Sequence, residues 1–404
     1  MPMMEYPLDE SMGYQTIGYY APTSRFGLPK RFKKFVQKLH QEGIGVILEW
    51  NPVYFPKDEH GLRSFDGTCL YEHMDSRKGQ HPYMDTLLFN YSRNEVKSYL
   101  IANALFWIEE YHIDGIKTDF GNMLYLDADR SEGQWIPNLY GGNENLELVE
   151  FMKHLNSIMK KKHPDVLMIA EEGTAWPNVT GIVDESCLGF DMKWNDSFAA
   201  DLLDYMKKES KVRKDYHNEL TFSMVYAYSE SYMLPMSYKF LQELEQLSTE
   251  DVKCLMAYQF MHPGKKLWNG KALNTECESL ATALNQLYKE NTALFEADYE
   301  ADGFEWIDSI DYEHSKLSFI RKSETEMLFV VCNFSDNTLD SRIGVPKAGK
   351  YKEILNTDAL KFGGSGIVNP RVKQTLEKKA DGQPYSIKMK MAGKSVSVLK
   401  MEIG

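Results

Sequence analysis

The 404-residue sequence has few cysteines, no run of basic residues and no apolar stretch long enough to span a bilayer. Its five cysteines are scattered, odd in number and without Cys-x-x-Cys spacing. This argues against a disulfide framework or a zinc site and favours a reducing compartment. The N-terminal residues lack the basic and apolar regions of a signal peptide. We therefore expect a cytoplasmic protein.

The charge balance excludes further classes of partner. The chain carries 46 Lys and Arg against 59 Asp and Glu, a net charge of −13. An acidic protein without a basic patch is not expected to bind nucleic acid or an anionic membrane surface. No spacing of Asp, Glu or His is diagnostic for calcium or zinc, so we predict no metal site. Aromatic residues make up 13% of the chain, which suits either a packed core or stacking on sugar rings.

Helical and strand patterns alternate along most of the chain, which is typical of βα units and a parallel sheet. Helices are predicted over 30–43, 94–111 and 145–162, with Asn94 capping the second. Buried strands are predicted over 44–50, up to Asp119, up to Glu171, and near 189–195 and 233–237. Segments 13–27, 51–89 and 127–142 read as loops.

From Gly303 onward the pattern changes to short β-branched and aromatic runs separated by turn residues. This predicts a compact antiparallel β domain over 303–404, after an α/β domain over 1–302. The boundary near Asp302 follows from the change of period alone.

Two apolar runs in the α/β part end abruptly in a carboxylate, at Asp119 and at Glu171. In a parallel α/β barrel, the C-terminal ends of the strands meet at one mouth, where the chemistry lies. Two carboxylates brought there from separate strands can serve as nucleophile and general acid/base in glycoside chemistry. The alternative is that both residues only end buried strands.

With these motifs, the chain resembles the glycogen branching enzymes of the α-amylase clan, glycoside hydrolase family 13, over nearly its full length. The matching segments are residues 18–27, 65–68, 70–73, 89–91, 110–115, 123–127, 135–138, 141–142, 144–147, 217–223 and 262–266. The resemblance implies a (β/α)8 TIM-type barrel followed by a β-sandwich. It also implies cleavage of an α-1,4-glucan (glycogen or amylose) and transfer of the released segment to an α-1,6 linkage, by a retaining route without an organic cofactor.

The resemblance assigns the two carboxylates. Asp119 matches the family nucleophile, which forms the covalent glycosyl intermediate. Glu171 matches the proton donor, which protonates the leaving oxygen and later deprotonates the acceptor hydroxyl. Retaining chemistry requires these two carboxyl groups to lie about 5 Å apart.

Several other positions depart from the family pattern. In the run read as Asp-Trp-Val-Pro-Gly-His, Glu49 replaces the Asp and Tyr54 replaces the His. Lys117 stands where an Arg is expected two residues before the nucleophile. Lysine keeps the charge but loses the bidentate fork of arginine, so these positions are expected to bind substrate in an altered way.

The end of the predicted seventh strand changes most. The family has His and Asp after a Leu-Pro-Leu-Ser run, and this chain has Tyr238 and Lys239. A cation beside an oxocarbenium-like transition state repels it, and losing one preorganised electrostatic group costs about 10²–10³ in rate. We therefore expect impaired catalysis.

The predicted barrel is also incomplete. The chain begins at what resembles the tail of the second strand, and the eighth strand is reduced to residues 267–270. A barrel without these strands cannot close, and its open edges invite a partner subunit. The alternative is that the sequence starts at an internal Met of a longer product.

Three hypotheses remain open from the sequence. The chain is a weak branching enzyme using Asp119 and Glu171, or a glucan-binding or regulatory pseudoenzyme, or a decayed fragment without independent function. Aromatic residues such as Trp135 match family surfaces that stack on sugar, but loop packing accounts for them equally well.

Overall fold

The computed structural model describes residues 2–128, 130–131, 134–184, 186–269 and 274–402. The chain divides into two compact units, Met1–Trp194 and Asn195–Gly404. The boundary near Asp302 stays a prediction.

The first unit consists of short strands alternating with helices. Its strands are β1 (Met4–Glu5), β2 (Gly18–Pro22), β3 (Ile47–Trp50), β4 (Tyr54–Pro56), β5 (Thr86–Leu88), β6 (Gly115–Gly121), β7 (Leu167–Glu172) and β8 (Met192–Trp194). Its helices are α1 (Pro29–Gln41), α2 (Ser76–Gly79), α3 (Asn94–Tyr111) and α4 (Leu146–Lys162).

Four strands of this unit form a parallel sheet in the order β3-β6-β7-β8. Parallel strands need crossover connections, and α3 and α4 supply those between β3 and β6 and between β6 and β7. The Asn145 side chain caps α4 by accepting a hydrogen bond from the Leu148 amide at 3.2 Å. The predicted arrangement of parallel strands with helical crossovers is confirmed here.

Strand β6, which lies between β3 and β7, begins at a glycine that has close neighbours on both sides. Gly115 is paired with Ile47 on one side and Leu167 on the other. A Cβ at this position would lie 3.1 Å from atoms of Leu167 and 3.2 Å from Ile47. Such contacts are too tight for an unshifted side chain, so the absence of one sets the spacing of β3, β6 and β7.

Two predicted loops of this unit contain strands. Segment 13–27 holds β2, which pairs antiparallel with β1. The Tyr19 carbonyl of β2 accepts hydrogen bonds from the side chains of Asn103 at 2.6 Å and Trp107 at 3.0 Å. Segment 51–89 holds the antiparallel pair β4–β5 and the short helix α2. These tertiary contacts hold parts of both segments in regular structure, although their sequences are rich in turn-forming residues.

Two element starts also differ from the prediction. The strand predicted from Ile44 begins at Ile47, which is exposed, as is Ile44. Asn94 is the first residue of α3 rather than its cap; Arg93 occupies the cap position and makes no side-chain capping hydrogen bond.

The second unit combines helices, one parallel strand pair and an antiparallel β region. Its helices are α5 (Asp196–Lys207), α6 (His217–Tyr226), α7 (Leu241–Leu244), α8 (Thr249–Met261) and α9 (Thr275–Glu290). Its strands are β9 (Tyr232–Met236), β10 (Lys265–Trp268), β11 (Phe304–Asp311), β12 (Lys316–Lys322), β13 (Met327–Asn333), β14 (Leu339–Val345), β15 (Lys350–Asn356), β16 (Lys373–Gln374), β17 (Tyr385–Met391) and β18 (Ser395–Glu402).

The C-terminal strands confirm the predicted antiparallel β region. One sheet has the order β11-β12-β13-β18-β15-β16, and β14 pairs with β17. Strands β12 and β13 alternate hydrophobic residues towards two cores, so the sheet is covered on both faces.

The predicted eighth strand lies earlier in the chain than the sequence indicated. It covers Lys265–Trp268 and pairs in parallel with β9, so it begins two residues before Leu267. Gly270, which the prediction included, lies outside the described residues.

Candidate active site

The two predicted catalytic carboxylates lie side by side on neighbouring strands. Asp119 near the end of β6 is paired in register with Glu171 near the end of β7. Neighbouring strands are about 4.8 Å apart, which is close to the carboxyl separation of about 5–5.5 Å in retaining glycosidases. Both side chains are partly exposed. The Asp119 Oδ1 accepts a hydrogen bond from the Gly121 amide at 3.0 Å.

The face on which these carboxylates lie follows from the alternation of side chains along each strand. Trp50, paired with Thr118, is buried and donates its indole N–H to Asn103 of α3 at 2.8 Å. Helix α3 therefore contacts one face. Lys117 and Asp119 belong to the opposite face of the same strand.

Glu49 and Lys117 lie on that opposite face. They are register partners on β3 and β6. The Lys117 Nζ donates to Glu49 Oε1 at 2.9 Å and forms a second, shorter hydrogen bond to Glu171 Oε2. The ammonium also lies 4.4 Å from the ring centroid of Trp194 on β8. One buried lysine thus joins side chains from four successive strands.

The charges of this cluster stabilise one another. Burial lowers the pKa of Lys117, but the charges of Glu171 and Glu49 outweigh it and leave that pKa raised. Burial likewise opposes ionisation of Glu49, yet nearby positive charges, of which Lys117 has the largest effect, bring its pKa down to about 2. The Tyr14 hydroxyl donates to the other oxygen of Glu49 at 3.1 Å. Glu49 and Lys117 are therefore both ionised at neutral pH.

Tyr54 is close enough to the nucleophile position to respond to its charge. Burial, followed by the negative charge of Asp119, raises the pKa of the Tyr54 hydroxyl to about 12. This hydroxyl is consequently a neutral donor near Asp119 at physiological pH. The histidine that the family has at this position would be a base or a cation instead.

The remaining predicted site residues lie outside strands β3, β6 and β7. Trp135 is 55% exposed. Tyr238 and Lys239 belong to the second unit, after β9, and Tyr238 is also about half exposed. The Lys239 ammonium pairs with Asp196 Oδ2 at 2.7 Å, so part of its charge is balanced within that unit.

Sequence reasoning missed two contributors to this site, Trp194 and Tyr14. The segment 189–195 was recognised as a strand end, but only the pairing of Glu171 with Trp194 shows that the indole shares the face of the carboxylates. Tyr14 lies in a segment without periodic pattern, so its contact with Glu49 could not be predicted from the sequence.

Comparison with known proteins shows which proteins this chain is similar to. The chain is 44% identical, over its whole length, to the "1,4-alpha-glucan branching enzyme GlgB" of Trichormus variabilis, of which it covers 58%. The GlgB of Cellvibrio japonicus is 43% identical over 97% of the chain, with 58% of that protein covered. Over nearly its full length, the chain is therefore similar to branching enzymes of the GlgB family. It spans a little under three fifths of the length of these curated relatives.

Two further matches concern the fold of the chain. Residues 306–402 match the model of the alpha amylase C-terminal all-beta domain. The crystal structure of α-amylase from Geobacillus thermoleovorans, complexed with acarbose, superposes with a TM-score of 0.71 at 13% identity. That match covers 100% of this chain and 87% of the amylase. At this identity it establishes the fold alone, an incomplete (β/α)8-type barrel followed by a β domain.

Neither a metal-binding cluster nor a helix able to span a membrane is present in the part of the chain that the structure describes. No group of three or more His, Cys, Asp or Glu side chains is arranged there to hold a metal ion. No described helix has both the length and the apolar character needed to cross a membrane.

Proposed function

We propose that this chain is a branching-enzyme-like protein that binds α-1,4-glucan, such as glycogen or amylose, and turns it over poorly. The observation that carries the proposal is the in-register placement of Asp119 and Glu171, at a spacing suited to retaining glycoside chemistry. The relatives named as branching enzymes support the same class of substrate.

In the proposed reaction, Asp119 attacks the anomeric carbon of an α-1,4-linked glucose and forms a covalent glycosyl ester. Glu171 protonates the departing 4-oxygen, then removes the proton from the 6-hydroxyl of an acceptor chain, which displaces Asp119. The product is an α-1,6 branch. The Tyr54 hydroxyl stays neutral near Asp119, and Glu49 holds Lys117 by a hydrogen bond.

Poor turnover follows from two features. The Lys117 ammonium binds Glu171, the group that must supply a proton in the first step. Tyr238 and Lys239 occupy the positions where the family has a His and an Asp that hold the distorted sugar, so that electrostatic support is missing.

A second candidate function is non-catalytic glucan binding, in a storage or regulatory role. The Lys117–Glu171 contact favours it, because a site without a proton donor still offers carboxylates and hydroxyls that bind sugar. We expect either function in the cytoplasm, since the five cysteines are all unpaired. A partner subunit stays a prediction, which light scattering of the purified chain tests.

The first experiment is a branching assay on purified protein with amylose, following loss of the iodine complex and appearance of α-1,6 linkages. Asp119→Ala is the control. Slow activity that disappears in the variant supports the enzyme. Retention on a glycogen affinity gel without activity supports the binding function. If folded protein shows neither activity nor retention on glycogen, the proposal is contradicted and a fragment without independent function is favoured.

A further inference from the structure

A retaining transfer makes opposite demands on its acid/base residue in its two steps. The first step needs a protonated carboxyl group to neutralise the leaving oxygen, and the second needs an ionised carboxylate to accept the proton of the incoming hydroxyl. A single residue serves both steps only if its environment allows both states. The surroundings of Glu171 therefore decide which half of the reaction this site can perform.

The Lys117 ammonium beside Glu171 favours the ionised form of this carboxyl group. The Lys117 ammonium donates to Glu171 Oε2 and is held from two other sides, by Glu49 Oε1 at 2.9 Å and by the Trp194 ring at 4.4 Å. Lys117 is 7% exposed, so it cannot swing into water without leaving this cluster. A charged hydrogen-bond donor at contact distance stabilises a carboxylate over the neutral acid.

We propose that this site transfers glucosyl units from donors with an acidic leaving group, which departs without protonation, and not from unactivated glucan linkages. The inference rests on the proposed function, in that Asp119 and Glu171 must be accessible to an α-glucosyl unit. It makes Lys117 a positioning residue that selects the donor class by fixing the state of Glu171. α-Maltosyl fluoride is the probe for this class.

The two steps balance with the groups present. An Asp119 carboxylate oxygen bonds to the anomeric carbon while the carbon–fluorine bond breaks, and fluoride leaves with the electron pair. An acceptor hydroxyl then bonds to the same carbon, its proton passes to ionised Glu171, and the ester bond to Asp119 breaks. Glu171 returns its proton to solvent. The net change is maltosyl fluoride plus an alcohol giving a maltoside plus hydrogen fluoride.

The first test uses the unaltered chain. A fluoride electrode follows turnover of α-maltosyl fluoride with maltotetraose as acceptor, and amylose branching is measured in parallel. We expect fluoride release with formation of a longer oligosaccharide, at a kcat/KM about 10²–10⁴ above that for amylose, which is the usual contribution of general acid catalysis. Asp119→Asn abolishes the fluoride reaction. Comparable rates on the two donors, or fluoride release that survives in the variant, overturn the inference.

The second test removes the ammonium. Lys117→Met keeps the length of the side chain without its charge, so Glu171 beside Glu49 regains its proton more readily. We expect the ratio of fluoride to amylose turnover to fall by about 10²-fold. Lys193→Met is the matched control, because Lys193 is also buried and paired with a carboxylate, Glu172, at 2.9 Å. A folding defect would lower both rates together and leave their ratio unchanged. If Lys117→Met has the same ratio as the unaltered chain, the inference is therefore overturned.

A glycogen affinity gel separates this inference from the proposed function. Folded protein that is retained on glycogen but leaves maltosyl fluoride intact contradicts the inference and leaves glucan binding standing. Folded protein that neither binds glycogen nor releases fluoride contradicts both.

Discussion

Each unit of the molecule contains a cluster of lysine and carboxylate side chains, and the two clusters differ in access to solvent. In the first unit, Lys117 bridges Glu49 and Glu171, whose side chains are 24% and 26% exposed. In the second, Asp298 accepts a hydrogen bond from Arg321 at 2.8 Å and has a side chain only 1% exposed. The first cluster can meet a ligand, and the second is sealed.

The sealed cluster joins elements that are distant in sequence. Asp298 Oδ1 accepts from the Gly264 amide at 3.0 Å, just before β10, and from Arg321 of β12. Arg321 also donates to the Met261 carbonyl at the end of α8, at 2.9 Å. Because Asp298 and Arg321 are buried and paired with each other, their charges specify packing. The same residue types at the edge of β6 and β7 are available for chemistry instead.

The largest expected effect is on the sealed cluster. Asp298→Ala leaves Arg321 and Lys266 buried without their carboxylate, and removing one partner of a buried ion pair costs about 3–5 kcal/mol. Urea unfolding of the purified variant measures this. Asp302→Ala, at an exposed position, is the control and should remain within about 0.5 kcal/mol of the parent. Equal stability of the two variants would remove the distinction between the clusters.

The open cluster should tolerate the corresponding change better. Lys117→Met leaves two carboxylates that water can reach, so we expect a loss of about 1–2 kcal/mol, less than for Asp298→Ala. The same urea titration gives the value. A loss as large as that of Asp298→Ala would show that Lys117 serves mainly to hold the strands together.

The sealed cluster also predicts a pH dependence of stability. Burial lowers the pKa of Lys266 to about 7, whereas an unfolded lysine has a pKa of about 10.4. Between these values the unfolded chain binds the additional proton. The free energy of unfolding therefore rises with pH over this range. The stability gained by keeping Lys266 neutral is complete above the unfolded pKa and is lost as the pH falls towards 7.

Unfolding titrations at pH 7, 8 and 9 measure that slope. Lys266→Met, which cannot titrate, should flatten it, while the exposed Lys289→Met should not. An identical slope in both variants would assign the pH dependence to other groups.

The smallest expected effect concerns Trp135, outside both clusters. Its exposed indole makes a stacking surface, so Trp135→Ala should raise the Kd for glycogen by roughly 2- to 10-fold, the size of one aromatic contact. Stability should change by less than about 0.5 kcal/mol. Affinity gel electrophoresis in glycogen provides the measurement, and unchanged retention would limit sugar contact to the carboxylate face.

The sequence predicted the elements that carry this face because each follows a local rule. Asp119 and Glu171 follow buried apolar runs, and the helices before their strands have a clear period. The contact of Lys117 with Glu171 follows no local rule. It depends on the register of three strands and on the rotamer of a long side chain, and neither is encoded in spacing along the chain.

The strand β2 illustrates another limit of prediction. Its glycine, its proline and its two tyrosines indicate a loop, yet Asn103 and Trp107 of α3, more than eighty positions later in the chain, bind its backbone. The Tyr54 environment is similar, since its proximity to Asp119 comes from the fold of 51–89 into β4 and β5.

Because residue 115 is a glycine and has no side chain, it has a consequence for mutational scanning of this protein. Because Gly115 lets β3, β6 and β7 approach closely, it sets the distance that the Lys117 ammonium must reach two residues later. An added methyl group at position 115 would push the strands apart by tenths of an ångström while touching no ligand. A screen of catalytic output would then score this position as if it belonged to the site, although it acts there as a spacer.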